Sequence, residues 1–569
     1  MDSTYGSPLS LRRIDGQRLR TLLEQTAPKS VLIFGTGPFQ RRVLLCTHLC
    51  LLSAALHRMA LAVLARPVDH WCRRPPEYEY VPIETWKNVS LPRRPEDGGP
   101  CHCTRYDPPL ADATTNRTEV TCEAWEYDLS IGGPTIVSKW DLVCQRRWLL
   151  VVLMGSYLLG GVVAMPLAGL GADRLGRRPV LYGAVLLLMV SSMATCVAST
   201  LYAFAMLRIV TSAAASVAEI STTLILFEVT PRGGRTGFLA LAVCGASVLS
   251  PFWLSMSARF TYNWSVVQAS IMASTLLLVP ATYWLEESPR WLVVTWQFSE
   301  AERVVFWAAR VNGLNVADMR PLFKGVVENV KSRQRHCHAP STVWDLVRSR
   351  AIRARSLIVF GCWFFVLSTV MTLRPGSRLR GSTKCEVAVM YCMGPLLVVH
   401  YLLMQGWGRR RTLALGMALL SGHTTALAVL RVLEIGLLSP MLICASVPLL
   451  LCVFCTLFVY TAEVFPTVVR GTGFALSTMS GRLGALAALV LGNVTNLDAV
   501  YSDTLTLLLV SLGTLGFGLL ALLLPETNVL RVADTIQEAE QEEPVRVNSL
   551  FQILLRRRGP NTPSASVRR

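Results

Sequence analysis

The sequence predicts an all-α membrane protein with twelve transmembrane helices in two six-helix bundles, and three observations carry that reading. Of the 569 residues, 52% are apolar and only 16% are charged, against roughly 25% charged in an average soluble domain. The apolar residues gather into repeated runs of about 20, enough to cross about 30 Å of hydrocarbon. The runs fall into two sets of six on either side of a long polar segment. This composition argues against an ordinary soluble enzyme. The formal charge of +18 comes from short basic clusters between apolar runs. That is the pattern of cytoplasmic loops under the positive-inside rule, and no nucleic-acid-binding motif accompanies it.

The elements follow in order. Residues 1–42 carry seven Lys/Arg against three Asp/Glu and no signal-peptide pattern, so they are expected in the cytoplasm. The first bundle occupies 43–285, with spans at about 43–64, 149–170, 180–198, 201–227, 236–256 and 265–285. Between its first two spans, residues 65–148 form a large extracellular loop. The loop carries glycosylation sequons at Asn88 and Asn116 and five cysteines, Cys72, Cys101, Cys103, Cys122 and Cys144. In an oxidising compartment these predict disulfides with one cysteine left over, in a connectivity the spacing does not specify. Residues 286–355 read as a cytoplasmic linker with short amphipathic helices. The second bundle occupies 356–525, with spans at about 356–373, 386–404, 412–430, 438–460, 470–492 and 504–525. Residues 526–569 read as a disordered cytoplasmic tail. An even span count places both termini on the cytoplasmic side.

Short motifs sit at the ends of the spans. After the second comes Gly169-Leu-Gly171-Ala-Asp173-Arg174-Leu-Gly176-Arg177-Arg178, and at the equivalent place in the second half Gln405-Gly-Trp-Gly408-Arg409-Arg410 repeats the turn and the arginines without the acid. Recurrence of this kind is the mark of a duplicated six-helix unit. Trp140-Asp141-Leu142-Val143-Cys144 precedes the second span, and Glu228 and Arg235 flank the fourth-to-fifth loop. Glu287-Ser288-Pro289-Arg290-Trp291-Leu292 follows the sixth span. Tyr460-Thr461-Ala462-Glu463-Val464-Phe465-Pro466 leads to Arg470 after the tenth, and Leu524-Pro525-Glu526-Thr527 follows the twelfth. The loop motif resembles that of the major facilitator superfamily, and the whole set, in this order, resembles the solute carrier 22 family of organic cation and anion transporters. The resemblance implies the major facilitator fold, the plasma membrane, and alternating-access transport of small organic ions within a lipid bilayer. It also makes Asp173, Arg174, Arg177, Arg178, Glu228, Arg235, Glu287, Arg290, Glu463 and Arg470 candidates for a gate of opposite charges at the cytoplasmic helix ends.

The clearest ionisable residues inside spans, away from helix ends, are Arg58, Glu219 and Arg482. A charge at that depth costs at least about 2.5 to 3.5 kcal/mol, so it is expected to face a wet cavity or a partner. By the resemblance, the Arg482 position is an arginine in the anion-transporting branch and an aspartate in the cation-transporting branch, which favours an anionic substrate. Glu219 stands where that family usually has aromatic or small polar residues, and it is expected to pair with Arg482 across the cavity and neutralise it. Trp363 is retained as a cavity wall, whereas Ser368-Thr369-Val370-Met371-Thr372 replaces a tyrosine-rich stretch. These departures resemble the divergent orphan branch of the family. They give an alternative reading, a transport-silent surface receptor whose outer loop binds an extracellular protein ligand. His57, His102, His400 and His423 lack the spacing of a metal site, and no nucleotide-binding loop, catalytic triad or metalloprotease helix is present. No metal, cofactor or enzymatic activity is expected.

Overall fold

The computed structural model describes residues 37–93, 100–109, 117–130, 133–261, 263–333, 342–373, 383–433, 439–494, 499–528 and 533–541. Its long helices are α1 (Pro38–Leu64), α2 (Trp148–Arg174), α3 (Arg177–Cys196), α4 (Leu201–Val229), α5 (Arg232–Phe260) and α6 (Trp264–Tyr283) in the first half. In the second half they are α7 (Arg350–Thr372), α8 (Thr383–Gly406), α9 (Arg409–Val432), α10 (Ser439–Val464), α11 (Arg470–Val494) and α12 (Ala499–Ala521). Among the described residues eleven helices are long and apolar enough to cross a membrane, and the apolar stretch Met393–Gly406 of α8 completes the set of twelve. The spans expected from hydropathy are therefore present in the expected order.

Several helices start where their sequences offer a cap or a proline. Pro38 opens α1, where a missing N–H costs nothing. Thr200 accepts from Ala203 N at 3.2 Å to cap α4, and Asn263 accepts from Ser265 N at 3.1 Å to cap α6. Inner and outer helices differ in burial. In their most apolar windows α1 and α4 bury 67% and 78% of residues, while α3, α6 and α9 bury 39%, so the latter turn most of their surface to lipid. Across the seam between halves, α2 runs against α11 and α5 against α10.

At one end, which we call the loop-domain end, residues between α1 and α2 fold into two small antiparallel sheets. Strand β1 (His70–Cys72) pairs with β4 (Trp125–Tyr127), and β2 (Thr104–Asp107) pairs with β3 (Thr118–Thr121). Cys72 is bridged to Cys122 and Cys103 to Cys144, which closes the connectivity the sequence left open; Cys101 lies outside both bridges and accepts from Thr104 Oγ1. Trp86 is wholly buried and donates to Cys72 O at 3.0 Å. Asn88 is exposed on the helix Ile83–Ser90, whereas Asn116 lies outside the described residues. The Trp140–Cys144 motif bolts this domain to the bundle. Trp140 packs on Phe204 and Trp264, Lys139 donates to Ala198 O at 2.8 Å, and Cys144 carries a bridge at the threshold of α2.

At the opposite, linker end, helices Pro289–Val294, Phe298–Val311 and Val316–Arg333 pack around Trp291, Val304 and Phe323. The segment expected as a disordered tail departs from that expectation in part. Residues 533–541 dock on the bundle, with Ile536–Gln541 helical and Ala539 buried. Ala539 sits in the main core and gives this stretch the apolar anchor that the surrounding polar residues lack.

Candidate functional site

The three intramembrane charges converge. Arg58 of α1 reaches Glu219 of α4 with Nη2 at 3.4 Å from both carboxylate oxygens. Arg482 of α11 stands on the far side, its Nη2 at 3.9 Å from Glu219 Oε2 and its Nη1 at 3.4 Å from Ser212 Oγ. Gly161 of α2 makes this crossing possible, because a Cβ there would overlap the Arg482 guanidinium. The Glu219 and Arg482 side chains are 10% and 11% exposed and that of Arg58 is 37% exposed, so Arg58 is the member in contact with open space. The expected Glu219–Arg482 pair is present at 3.9 Å, and Arg58, which was not expected as a partner, joins it at 3.4 Å to make a triad. One carboxylate between two guanidiniums leaves a net charge of +1 rather than neutrality.

These groups line a cavity between the halves together with Trp363, Leu367, Phe454, Phe474, Met165, Ile220 and Thr478. Its free volume is about 20 Å³, room for one water. Trp363 is 1% exposed and donates Nε1–H to Thr461 Oγ1 at 2.9 Å, with Phe454 and Phe458 at ring distances of 5.5 and 6.3 Å. The aromatic wall missing from Ser368–Thr372 is therefore supplied by phenylalanines of α10 and α11.

At the linker end a second charge network joins the halves. Glu228, at the foot of α4, takes Arg177 Nη2 at 3.2 Å and Arg470 Nη1 at 2.8 Å. Arg177 also reaches Asp173 at 3.3 Å and Thr467 O at 3.3 Å. Asp173 accepts from Gly471 N at 3.1 Å and from Thr472 N and Oγ1 at 2.8 and 2.9 Å, which seats a carboxylate on the N-terminus of α11, where the helix dipole favours it. Two acids and two arginines, each with a wholly buried side chain, balance one another. Phe227 lies between the guanidiniums of Arg235 and Arg470, at 4.5 and 4.9 Å.

The duplicated loop motif has a physical counterpart in both halves. Gly176 and Gly408 turn with φ of +105° and +90°, a conformation that strains any residue with a Cβ. The turns expose the first N–H groups of α3 and α9 to a carboxylate from the end of each bundle. Glu287 takes Arg178 N at 2.9 Å, and Glu526 takes Arg409 N at 2.8 Å. Burial pushes the Glu287 carboxyl above its usual range, while the N–H donors of Arg178 and Ser288 pull it back. Each half then pairs an arginine with an acid at the foot of its fourth helix: Arg177 with Glu228, and Arg409 Nε with Glu463 at 3.4 Å.

Not every expected gate residue crosses the seam. Asp173, Arg177, Glu228 and Arg470 do. Arg290 reaches Asp534 of the docked tail at 4.0 Å, and Asp534 in turn accepts from Thr467 Oγ1 at 2.8 Å. Glu287 works inside the first half and Glu463 inside the second. Arg178 turns to Glu286 at 3.2 Å and Tyr182 at 2.8 Å on the surface, and Arg174 is exposed on the last turn of α2. Arg235 donates to Thr230 O at 3.1 Å within its own loop and meets the other half through the Phe227 stack. Absent from the expected set are Arg409, which crosses to Thr236 Oγ1 at 2.5 Å, and Thr472, Glu526 and Asp534. The repeat itself signalled Arg409 and Glu526, since each occupies the place of a first-half residue already singled out.

The comparisons agree with this architecture. Residues 137–530 match the model of the family described as "Sugar (and other) transporter". Rat "Solute carrier family 22 member 7" is 29% identical over 552 residues, covering 90% of this chain and 98% of the relative. Human "Solute carrier family 22 member 12" is 29% identical, with 80% and 83% covered. The Drosophila melanogaster "Organic cation transporter protein" is 26% identical, with 89% and 92% covered. Among solved structures, the proton:xylose symporter XylE bound to 6-bromo-6-deoxy-D-glucose superimposes with a TM-score of 0.59 at 14% identity, over 88% of this chain and 98% of that one. The inward-open form of XylE from E. coli gives 0.51 at 15% identity, with 88% and 99% covered. Twelve helices in two halves, the repeated Gly–Arg–Arg turns and these matches lead to one conclusion: the chain belongs to the sugar (and other) transporter family of the major facilitator fold, and is a multi-pass membrane transporter of the solute carrier 22 type.

Proposed function

We propose that this protein carries small organic anions across the plasma membrane by alternating access, with Arg482 and Arg58 as the counter-charges of the substrate. The supporting observation is a contrast between two buried charge clusters. The four ion-paired residues at the linker end, Asp173, Arg177, Glu228 and Arg470, balance one another, with Arg235 held on the Phe227 ring beside them, whereas the ion-paired cavity triad is left with one positive charge in excess. An uncompensated buried charge is costly, and an anion admitted when the halves part and widen the cavity removes that cost. One named relative is an organic cation transporter protein, and it is the excess positive charge of this cavity that supports an anionic substrate here. The linker-end network serves as the gate. Asp173, Arg177, Glu228 and Arg470 hold the linker side shut and part when the halves rock. The test is flux of radiolabelled organic anions into liposomes holding the purified protein; vesicles no more permeable than protein-free ones refute the proposal.

In this reading the loop domain faces outward and the termini and linker face the cytoplasm, in line with the basic clusters in the linker-end loops and the exposure of Asn88. Glycosidase treatment of membranes is expected to increase the electrophoretic mobility of the wild type but not of the Asn88→Gln, Asn116→Gln double variant. Unchanged wild-type mobility contradicts the outward placement.

A further inference from the structure

The cavity arginines are only half engaged. Glu219 sits within reach of one Arg58 nitrogen through both oxygens at 3.4 Å, while Arg482 is 3.9 Å away, beyond hydrogen-bonding distance, and donates to Ser212 instead. Of the residues lining the cavity, three are charged, Arg58, Glu219 and Arg482. The Tyr157 phenol also faces them, and Arg208 stacks on that ring at 4.8 Å without lining the cavity. Apart from Thr478, the remaining wall is apolar and aromatic, with Trp363, Phe454 and Phe474 packed edge to face.

We propose that Glu219 fixes the charge of the substrate: it is a tethered carboxylate that uses up one of two arginine charges, so that the cavity accepts organic monocarboxylates with an apolar body and rejects dicarboxylates. This rests on the anion-carrier reading and goes beyond it. A monoanion brings the cavity to neutrality. A dianion places a second carboxylate beside Glu219 and leaves a buried negative excess. For like charges about 6 Å apart in an effective dielectric near 20, Coulomb's law makes the contribution of Glu219 alone roughly a hundredfold against the second carboxylate. Replacing Glu219 by the neutral amide of the same shape leaves two arginines for the ligand and reverses the preference. Arg482 supplies the planar fork that a carboxylate binds in two-point fashion.

The probes are phthalate, a dianion at pH 8, and its monomethyl ester, a monoanion on the same ring. Each is titrated against purified full-length protein, with thermal stabilisation as the readout of binding to the folded state. Wild type and Glu219→Asp are expected to bind the monoester at least tenfold more tightly than phthalate. Glu219→Gln is expected to shift that ratio about a hundredfold toward phthalate. The wild-type ratio stands as a test even if the glutamine variant does not fold. Binding of both probes by wild type with equal affinity, or an unchanged ratio in Glu219→Gln, overturns the role of Glu219 and leaves the carrier reading standing. Binding of neither probe by wild type overturns this inference together with the anion reading beneath it.

Discussion

Arg470→Ala is expected to destabilise the protein by about 3–5 kcal/mol, the range for breaking a buried ion pair by removing one partner. Glu228 has a wholly buried side chain and receives its shortest contact, 2.8 Å, from Arg470. Without it, Arg177 alone must serve both Glu228 and Asp173, and the network carries an unpaired negative charge. Unfolding in mild detergent, followed by intrinsic tryptophan fluorescence, measures the loss. The double variant Glu228→Gln, Arg470→Met should recover much of it, because the stranded charge is gone, with a coupling well above about 0.5 kcal/mol. Additive single effects would show that the two residues do not form a unit and would remove them from the gate.

The second large effect concerns the cavity triad. Glu219→Gln, Arg58→Gln and Arg482→Gln are each expected to lower stability, by less than the linker-end variants because Arg58 is 37% exposed and therefore partly solvated. The pairwise cycles should rank by geometry. The coupling of Glu219 to Arg58, with both oxygens at 3.4 Å, should exceed its coupling to Arg482 at 3.9 Å. Couplings near zero would mean that each charge is held by water and would undo the triad as a unit, while equal couplings would contradict the ranking by distance.

How much of this was legible in the sequence depends on the range of the interaction. The twelve helices were legible because hydrocarbon imposes a length and an apolar composition on each run. The Gly–Arg–Arg turns were legible because they occur twice. Glu219 and Arg482 stood out because a charge within an apolar run needs a reason. What was not legible was the partner of each charge. Arg58 and Glu219 are 161 residues apart, and only the packing of α1 on α4 adds that contact to the expected one with Arg482. The strands of the loop domain were hidden for another reason. Thr104–Asp107 and Thr118–Thr121 are four residues each and mostly polar, with no alternation to mark an inner face, and the disulfides add their restraint to the small apolar core of Trp71, Val81, Trp86 and Leu91. Phe454 and Phe474 carried no signal, since a phenylalanine facing a cavity and one facing lipid look alike in an apolar run.

The central claim is that an excess positive charge between the halves binds and moves an organic anion. Counterflow in liposomes tests it most directly: vesicles preloaded with unlabelled monocarboxylate, holding wild-type or Arg482→Ala protein of equal amount and fold, are diluted into trace labelled anion. The wild type should accumulate label transiently above the protein-free level, and Arg482→Ala should not. Accumulation by Arg482→Ala equal to the wild type would remove this arginine from the transport path. No accumulation by folded wild-type protein would contradict the anion-carrier account.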